Sequence, residues 1–399
     1  MTMPHLRCAV LIAGLLTAAA GSAGAQDAPA EFESFRTPGW SFTPGVTIGT
    51  MRDSNVALSS APADTRKTES DTLVVVEPTV QLGYTSPRTD FAGGYRGYVR
   101  RYLDLGELNG IDHRGYLSLR RLVTRRLSYF AANEYAQLPT TDQLLLNGVP
   151  FARNGARTNG LSGGLEARLT KLDTLTVRYD NTWVRFDGKN AFLRGGIVNG
   201  VRSELNHHVT ESLAFGAEYG LRVADLNEGT EKLTFQDAGG AMHAKRAHSS
   251  LTLAGGLAFL QDRSRNVSNS GPYFRAELTE ETRRANVAVA YEHSFVPSFG
   301  FGGSNRNDEV RGSIRMPLDR NRIYVQGTAL WRRSRPFESA SLQLDTTWLH
   351  STLGYATSRW LRLEGYYAFS RQDTRIAGGG INRHVAGAQM VVSQPMRIH

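Results

Sequence analysis

The sequence predicts an all-β protein, a closed antiparallel up-and-down transmembrane β-barrel of about 18 strands, with 16 as the alternative count. Three observations predict this fold. Apolar and polar residues alternate with a period of two along most of the chain, and the connectors between these segments alternate between short and long. No segment reaches about 18 consecutive apolar residues, which excludes a membrane-spanning helix. The lack of a long apolar segment is compatible with a β-barrel, because barrel strands are apolar only at alternate positions.

The alternation is clear in residues 310–318, VRGSIRMPL, where Val310 and Ile314 share one face and Arg311 and Arg315 share the other. A soluble sandwich also alternates, with its polar face in water. In a membrane the charged face must line a wet interior, because a charged side chain facing lipid at mid-depth costs about 2–4 kcal/mol. Closure of the barrel leaves no unpaired strand edge in the hydrocarbon.

The connectors distinguish the barrel from the sandwich. Short turns, such as 86–90 and 170–173, alternate with longer polar segments, such as 52–70 and 139–157. This rhythm is typical of outer-membrane barrels, which have short periplasmic turns and longer outer loops. Greek-key sandwiches have no such strict alternation. The long loop 139–157 either folds inward as a constriction or stands outside the barrel, and the sequence leaves both arrangements open.

Residues 1–25 have the pattern of a secretory signal peptide, with a basic start, an apolar stretch and small residues before the cleavage site after Ala25. Residues 26–39 are then a periplasmic N-terminal segment, and residues 40–399 form the barrel. The protein is therefore expected in the outer membrane of a Gram-negative bacterium.

Composition narrows the function classes further. The single cysteine, Cys8, leaves with the signal peptide, so the mature chain has no disulfide. Loss of Arg7 lowers the formal net charge from +9 to +8, and basic residues are interspersed with acidic ones along the chain. A secreted chain with this charge pattern is not expected to bind nucleic acid.

The segment WSFTPGVTIGTMRDSNVAL, residues 40–58, contains the first predicted strand, Trp40 to Met51, whose apolar face is expected to meet lipid. The polar group Arg52-Asp53-Ser54-Asn55 follows directly. Asp53-Ser54-Asn55 could begin a calcium-binding loop, but the glycine and distal glutamate of that loop are missing. We therefore interpret this group as the point where the strand leaves the bilayer at the outer rim.

The polar faces of the strands supply the candidate functional residues, which are expected to line the lumen. An arginine-rich lumen would favour anions, whereas arginines and glutamates paired across strands would form a structural ladder without net selectivity. The candidates are Arg96, Arg100, Arg114, Arg120, Arg178, Glu218, Arg222, Arg275, Glu277, Glu292, Arg311, Arg315, Arg362 and Glu364.

No catalytic, cofactor-binding or metal-binding residues are predicted. The dipeptides His248-Ser249, His293-Ser294 and His350-Ser351 could suggest an acyl hydrolase, but adjacent residues in a strand point to opposite faces. His207-His208 lacks the further ligand spacing of a metal site.

Two segments carry a family resemblance. The stretch TPGVTIGTMRDSNVAL, followed by a polar loop and a strand with Glu77-Pro78, resembles the start of the outer-membrane β-barrel porin type 2 group. Residues 294–336 are similar to outer-membrane barrels as well. The resemblance implies an association with exopolysaccharide or capsule biosynthesis, and it supplies no catalytic residues. The partners it implies are outer-membrane lipid, the barrel-insertion machinery and components of polysaccharide export.

The sequence thus predicts a porin-like outer-membrane channel for a polar, anionic solute or an exopolysaccharide. The alternative is a non-conducting structural or assembly barrel of an envelope polysaccharide system. An outer-membrane acyl hydrolase is the third hypothesis.

Overall fold

The computed structural model of the protein describes residues 38–59, 69–187, 193–319, 322–337, 342–374 and 380–398. The predicted signal peptide and nearly all of the predicted periplasmic segment therefore lie outside the described residues. The fold is a closed antiparallel β-barrel of 18 strands, as predicted from the sequence.

The strands follow one another around the barrel in chain order. They are β1 Gly39–Asp53, β2 Asp71–Thr85, β3 Thr89–Tyr102, β4 Gly110–Thr124, β5 Leu127–Leu138, β6 Ala156–Arg168, β7 Asp173–Phe186, β8 Gly196–His208, β9 Leu213–Leu226, β10 Glu231–Lys245, β11 Ser249–Asp262, β12 Val267–Glu281, β13 Asn286–Pro297, β14 Ser304–Leu318, β15 Ile323–Pro336, β16 Leu344–Ala356, β17 Leu361–Thr374, β18 Ile381–Ser393 and the short β19 Met396–Ile398.

Pairing of β1 with β18 closes the barrel. Ile48 of β1 lies opposite Val76 of β2 on one side and opposite Met390 of β18 on the other. After a break at Pro395, the chain resumes as β19 and pairs with the start of β1. Each of the strands β1 to β18 therefore has two neighbours, which is what the backbone requires in hydrocarbon.

The connectors alternate as predicted. One rim carries short turns, such as 86–88 and 125–126, and the other carries the longer loops, including 139–155 between β5 and β6. By the usual asymmetry of these barrels, the rim with long loops faces outward from the cell. The two rims are called the inner rim (short turns) and the outer rim (long loops) below.

Alternate positions of each strand form an exposed apolar belt around the wall. Trp40, Tyr84 and Phe91 form an aromatic cluster on this face near the inner rim, with ring centroids 4.9 and 6.0 Å from Trp40. Exposed members of the belt include Ile48, Val76, Leu117, Leu161, Tyr179, Val201, Tyr219, Leu257, Phe274, Val289, Ile314, Leu349, Leu363 and Met390. We assign this face to lipid.

Among the described residues, no helix has the length and apolar character needed to cross a membrane.

The assignment of the two faces can be tested at the middle of β4. Leu117 lies on the belt with 49% of its surface exposed, and the next residue, Ser118, faces the lumen opposite Ala92 and Ala132. We expect Leu117→Arg to lower the free energy of unfolding by about 2–4 kcal/mol, because the guanidinium enters hydrocarbon. Denaturant unfolding in lipid vesicles measures this loss.

Ser118→Arg is the matched control for Leu117→Arg. Its guanidinium points into the lumen, so the expected loss is below about 1 kcal/mol. Equal losses in the two variants would contradict the assignment of the faces.

Candidate functional site: the lumen and its two inward-folded loops

The side of the wall opposite the belt carries charge. Residues paired in register share a face, and the observed register places every predicted lumen residue on this inward side. Those residues are Arg96, Arg100, Arg114, Arg120, Arg178, Glu218, Arg222, Arg275, Glu277, Glu292, Arg311, Arg315, Arg362 and Glu364.

The same face also carries many carboxylates that the sequence did not single out, and most inward arginines contact one. Arg100 lies 2.9 Å from Asp112, and Arg178 lies 2.8 Å from Asp180. The inward carboxylates outside the predicted set include Asp53, Glu77, Asp112, Glu134, Glu166, Asp180, Glu204, Asp237 and Glu309. Much of the lumen wall is therefore an ion-paired ladder.

One cluster of ion pairs is centred on Glu218 of β9, whose side chain is fully buried. It accepts hydrogen bonds from the Tyr273 hydroxyl at 2.7 Å and from Arg275 at 2.9 Å. Arg202 lies 3.2 Å from Glu218 and 2.8 Å from Asp237. Four strands, β8, β9, β10 and β12, are thus joined from the inside, and the charges of this cluster largely cancel.

A second cluster joins β14 and β15. Glu309 lies between Arg311 and Arg332, and Arg332 donates to it at 2.5 Å. Arg332 is buried, with only 3% of its surface exposed. A buried arginine needs such a partner, because an unpaired buried charge is strongly destabilising.

Two of the predicted inward arginines differ from these. Among the described residues, Arg114 and Arg315 have no carboxylate within ion-pair distance. Arg114 donates instead to the amide oxygen of Gln143 at 3.3 Å. Their positive charges are therefore not cancelled by a direct neighbour.

The loop of residues 139–155 folds into the barrel, which resolves the alternative that the sequence left open. Leu144 and Leu146 join an apolar cluster with Leu233 and Phe235 of β10. Leu145, next to them in sequence, packs with Leu330 of β15 and Trp348 of β16. A loop that contacts β10 on one side and β15 and β16 on another must cross the lumen.

An ion-paired latch holds this loop to the wall. Arg383 of β18 donates to the Asp142 carboxylate of the loop at 2.7 Å and to the Asp53 carboxylate of β1 at 2.7 Å. Asp53 and Asp142 are 1% and 3% exposed. We call Asp53, Asp142 and Arg383 the latch.

Gln372 of β17 holds the loop backbone in a second place. Its amide oxygen accepts from the Phe151 N–H at 2.7 Å, and its amide nitrogen donates to the Val149 carbonyl at 3.0 Å. Arg153 donates to the Val56 carbonyl at 2.8 Å and lies over the Tyr102 ring.

The tip of β13 and residues 298–303 form a second inward-folded segment. The ladder between β12 and β13 ends at the pair Phe274 and His293. Beyond it, Phe295 has the parity of a lipid-facing residue but is only 2% exposed and joins the lumenal apolar cluster. Arg222 donates to the Phe295 carbonyl at 3.0 Å and stabilises this bend.

The two inward segments touch each other. The Phe301 N–H donates to the Gly148 carbonyl at 3.4 Å. Gly148 has φ +68°, and a Cβ there would lie 1.9 Å from the Ser298 hydroxyl oxygen. Glycine is therefore required by both the backbone and the close approach.

In the dipeptides His293-Ser294 and His350-Ser351, the two side chains lie on opposite faces of the wall. His293 faces outward and contacts Asp308 at 2.7 Å, whereas Ser294 faces inward. His350 faces the lumen and stacks on Trp348, whereas Ser351 faces lipid. In the part of the chain that the structure describes, no three His, Cys, Asp or Glu side chains converge as around a metal ion.

Sequence reasoning missed the latch. Asp53 lies at a strand end, as the boundary interpretation requires, but its burial could not be read from a polar segment. Arg383 has the inward parity of the predicted lumen residues and could have been included with them. No local feature of the sequence indicates that Asp142, a loop residue, contacts Arg383.

No protein-family model and no curated protein matches the sequence. Among solved structures, the protein is similar to OccAB4 of Acinetobacter baumannii, with 9% identity, 90% of this chain and 99% of that chain covered, and a TM-score of 0.46. It is also similar to the outer membrane protein OpdK of Pseudomonas aeruginosa, with 8% identity, 90% of this chain and 99% of that chain covered, and a TM-score of 0.44. A third similar structure is the ferric citrate transporter FecA, with 11% identity, 86% of this chain and 61% of that chain covered, and a TM-score of 0.41. These likenesses concern only the general barrel architecture.

The geometry of the chain itself identifies its location. A closed barrel with a lipid-facing apolar belt, short turns on one rim and long loops on the other is the architecture of bacterial outer-membrane proteins. The protein is an outer-membrane β-barrel.

The latch predicts how the loop responds to a single substitution. Arg383→Gln leaves Asp53 and Asp142 buried without their cation, which costs about 3–5 kcal/mol and should free the loop. In a background with Cys8 removed, Leu145→Cys reports on this through its labelling by a water-soluble maleimide. We expect slow labelling when Arg383 is present and at least tenfold faster labelling in Arg383→Gln.

Arg371→Gln is the control for this experiment. Arg371 is exposed on the outward side of β17 and pairs with Asp373 at 2.8 Å, away from the loop. Its loss should leave the labelling rate unchanged. Slow labelling in Arg383→Gln, in barrels that keep their heat-dependent gel shift, would show that the latch does not hold the loop.

Proposed function

We propose that the protein is a porin-like outer-membrane channel for polar solutes, and that loop 139–155 forms its constriction. The observation that carries this proposal is the charged lumen of an 18-stranded wall with a loop folded across it. A barrel of 16–18 strands is wide enough to leave an aqueous channel unless something fills it.

Water must reach the lumen below the loop. Arg120 and Glu166 face inward, yet their side chains are 37% and 47% exposed. The side chain of Arg311 is 31% exposed. In a dry, packed interior these charged side chains would be fully buried and would lose their hydration, which is costly. The inner half of the lumen therefore supports passage of a hydrated solute.

Selectivity should depend on the arginines whose charge is not cancelled. Most inward arginines are paired, so the anion preference expected from an arginine-rich lumen is reduced. Among the predicted lumen arginines Arg114 and Arg315 remain, and Arg114 lies beside the constriction through its bond to Gln143. We propose a weak preference for anions, compatible with an acidic sugar. Passage of an exopolysaccharide, together with export partners, would require the loop to move.

A non-conducting structural or assembly barrel is the second candidate. The observation that favours it is the apolar cluster of the outer half, in which Leu144, Val149 and Phe299 from the two inward-folded segments pack against the wall. Such packing resembles a plug as well as a constriction. Insertion by the barrel-assembly machinery is expected under both candidates.

Planar-bilayer recording separates the two candidates. We expect the purified protein to give discrete conductance steps, and Arg383→Gln to give larger or noisier steps, because the released loop uncovers the lumen. Silence of both the wild type and the released variant would favour the structural barrel.

Reversal potentials in a salt gradient test the selectivity. The double variant Arg114→Gln/Arg315→Gln removes two uncancelled charges and should shift the permeability ratio towards cations by about twofold or more. Arg178→Gln/Asp180→Asn is the control, since it removes a pair separated by 2.8 Å and leaves the net charge unchanged. Identical shifts in the two variants would contradict the role given to Arg114 and Arg315.

A further inference from the structure

The outward side of the outer rim carries an unusual arrangement of charge at the ends of β14 and β15. Arg306 of β14 lies directly opposite Arg335 of β15, on the side of the wall that continues into the apolar belt. Both residues are exposed. Like charges directly opposite in a ladder are destabilising. Among the described residues neither arginine has a carboxylate within ion-pair distance.

The position of this pair relative to the belt is defined by the residues below it. Val310 and Trp331 are paired on the same side and belong to the belt. Arg333 is the next residue on this side of β15, and its guanidinium carbon lies 5.3 Å from the centroid of the Trp331 ring. Arg335 lies about 13 Å beyond Trp331 along the strand, which for a strand tilted by about 35–45° is a rise of about 10 Å. The arginine pair therefore lies at the level of lipid headgroups, just above the hydrocarbon.

A second arginine pair repeats the arrangement elsewhere on the outer rim. Arg157 of β6 lies directly opposite Arg185 of β7, and both are exposed on the outward side. Trp183 lies two residues before Arg185, and Trp331 lies four residues before Arg335. Arg157 has a half-exposed neighbour, Asp187, at 3.5 Å. The headgroup-level arginine pair is thus not confined to one pair of strands.

The chemistry of the arginine pairs selects the partner. Guanidinium groups bind phosphate with paired hydrogen bonds, and two adjacent guanidinium groups match a doubly charged phosphate. An anion attached to acyl chains gains this contact while its chains lie on the belt below. A free anion gains only the contact, which water and salt weaken.

We propose that the pairs Arg306 with Arg335 and Arg157 with Arg185 bind the phosphates of a phosphorylated glycolipid in the outer leaflet. The apolar belt holds the acyl chains of this lipid, and Trp183 and Trp331 lie at the boundary between headgroup and chains. The site is on the outer surface of the wall, so it is independent of conduction through the lumen.

Native mass spectrometry of the detergent-purified barrel tests this proposal, with diphosphoryl lipid A as the probe. We expect wild-type protein to bind it at least tenfold more tightly than lipid A without phosphates. Arg306→Gln/Arg335→Gln should weaken one of the two lipid-binding steps roughly ten- to thirtyfold and leave the other unchanged, because about 1 kcal/mol is lost with each arginine near an anionic headgroup. Arg157→Gln/Arg185→Gln should weaken the other step similarly.

Arg121→Gln/Arg126→Gln is the matched control, because it removes the same charge at the inner rim. It should leave binding unchanged. Equal weakening in this control would show that net charge alone governs binding, and unchanged binding in Arg306→Gln/Arg335→Gln would overturn the site.

Further measurements distinguish the source of the phosphate and the effect on function. Equally tight binding of inorganic phosphate would identify a free anion as the ligand and overturn the lipid assignment. All variants should keep the heat-dependent gel shift and the wild-type conductance pattern. A silent wild-type channel with normal lipid binding would contradict only the proposed channel function.

Discussion

Closure of the strand ladder is the constraint on which the rest of this structure depends. In hydrocarbon an unpaired backbone amide costs several kcal/mol, so the first and last strands must meet. Here β1 pairs with β18 from Gly45 opposite Ser393 to Asp53 opposite Val385, and β19 extends the seam towards the inner rim. Once the ring is closed, each strand separates lipid from lumen. The alternation of apolar and charged residues then becomes a division between two solvents.

The same seam carries the attachment of the constriction. Asp53 belongs to β1 and Arg383 to β18, so the latch joins the two strands that close the barrel before it reaches Asp142. A buried arginine between two carboxylates is stable only while all three groups are present. The position of the loop is therefore linked to the geometry of the outer end of the seam. A local change there would alter the lumen without opening the wall.

The distribution of charge follows from the same separation. Inward arginines and carboxylates pair across strands, as Arg275 does with Glu218, and these pairs brace the wall as well as keeping the lumen polar. Outward charge collects above the belt, where Arg306 and Arg335 reach the headgroup level. One wall thus presents a largely ion-paired ladder to the lumen and exposed arginine pairs on its outer side. The two surfaces can serve different ligands, because the barrel wall lies between them.

The sequence by itself indicated about 18 strands, with 16 as the alternative, and determined the two faces and the two rims, because period-two alternation and connector length are local properties of each segment. That parity predicts that Arg275 and the other candidate lumen residues point inward. The carboxylates that pair with these arginines do not follow from parity, because the stagger of the strands decides which side chains meet. Only the tertiary structure brings Asp142 to Arg383, 241 residues away. It also turns Phe295 inward against its parity, because the β12–β13 ladder ends before that residue and the tip of β13 is free to bend.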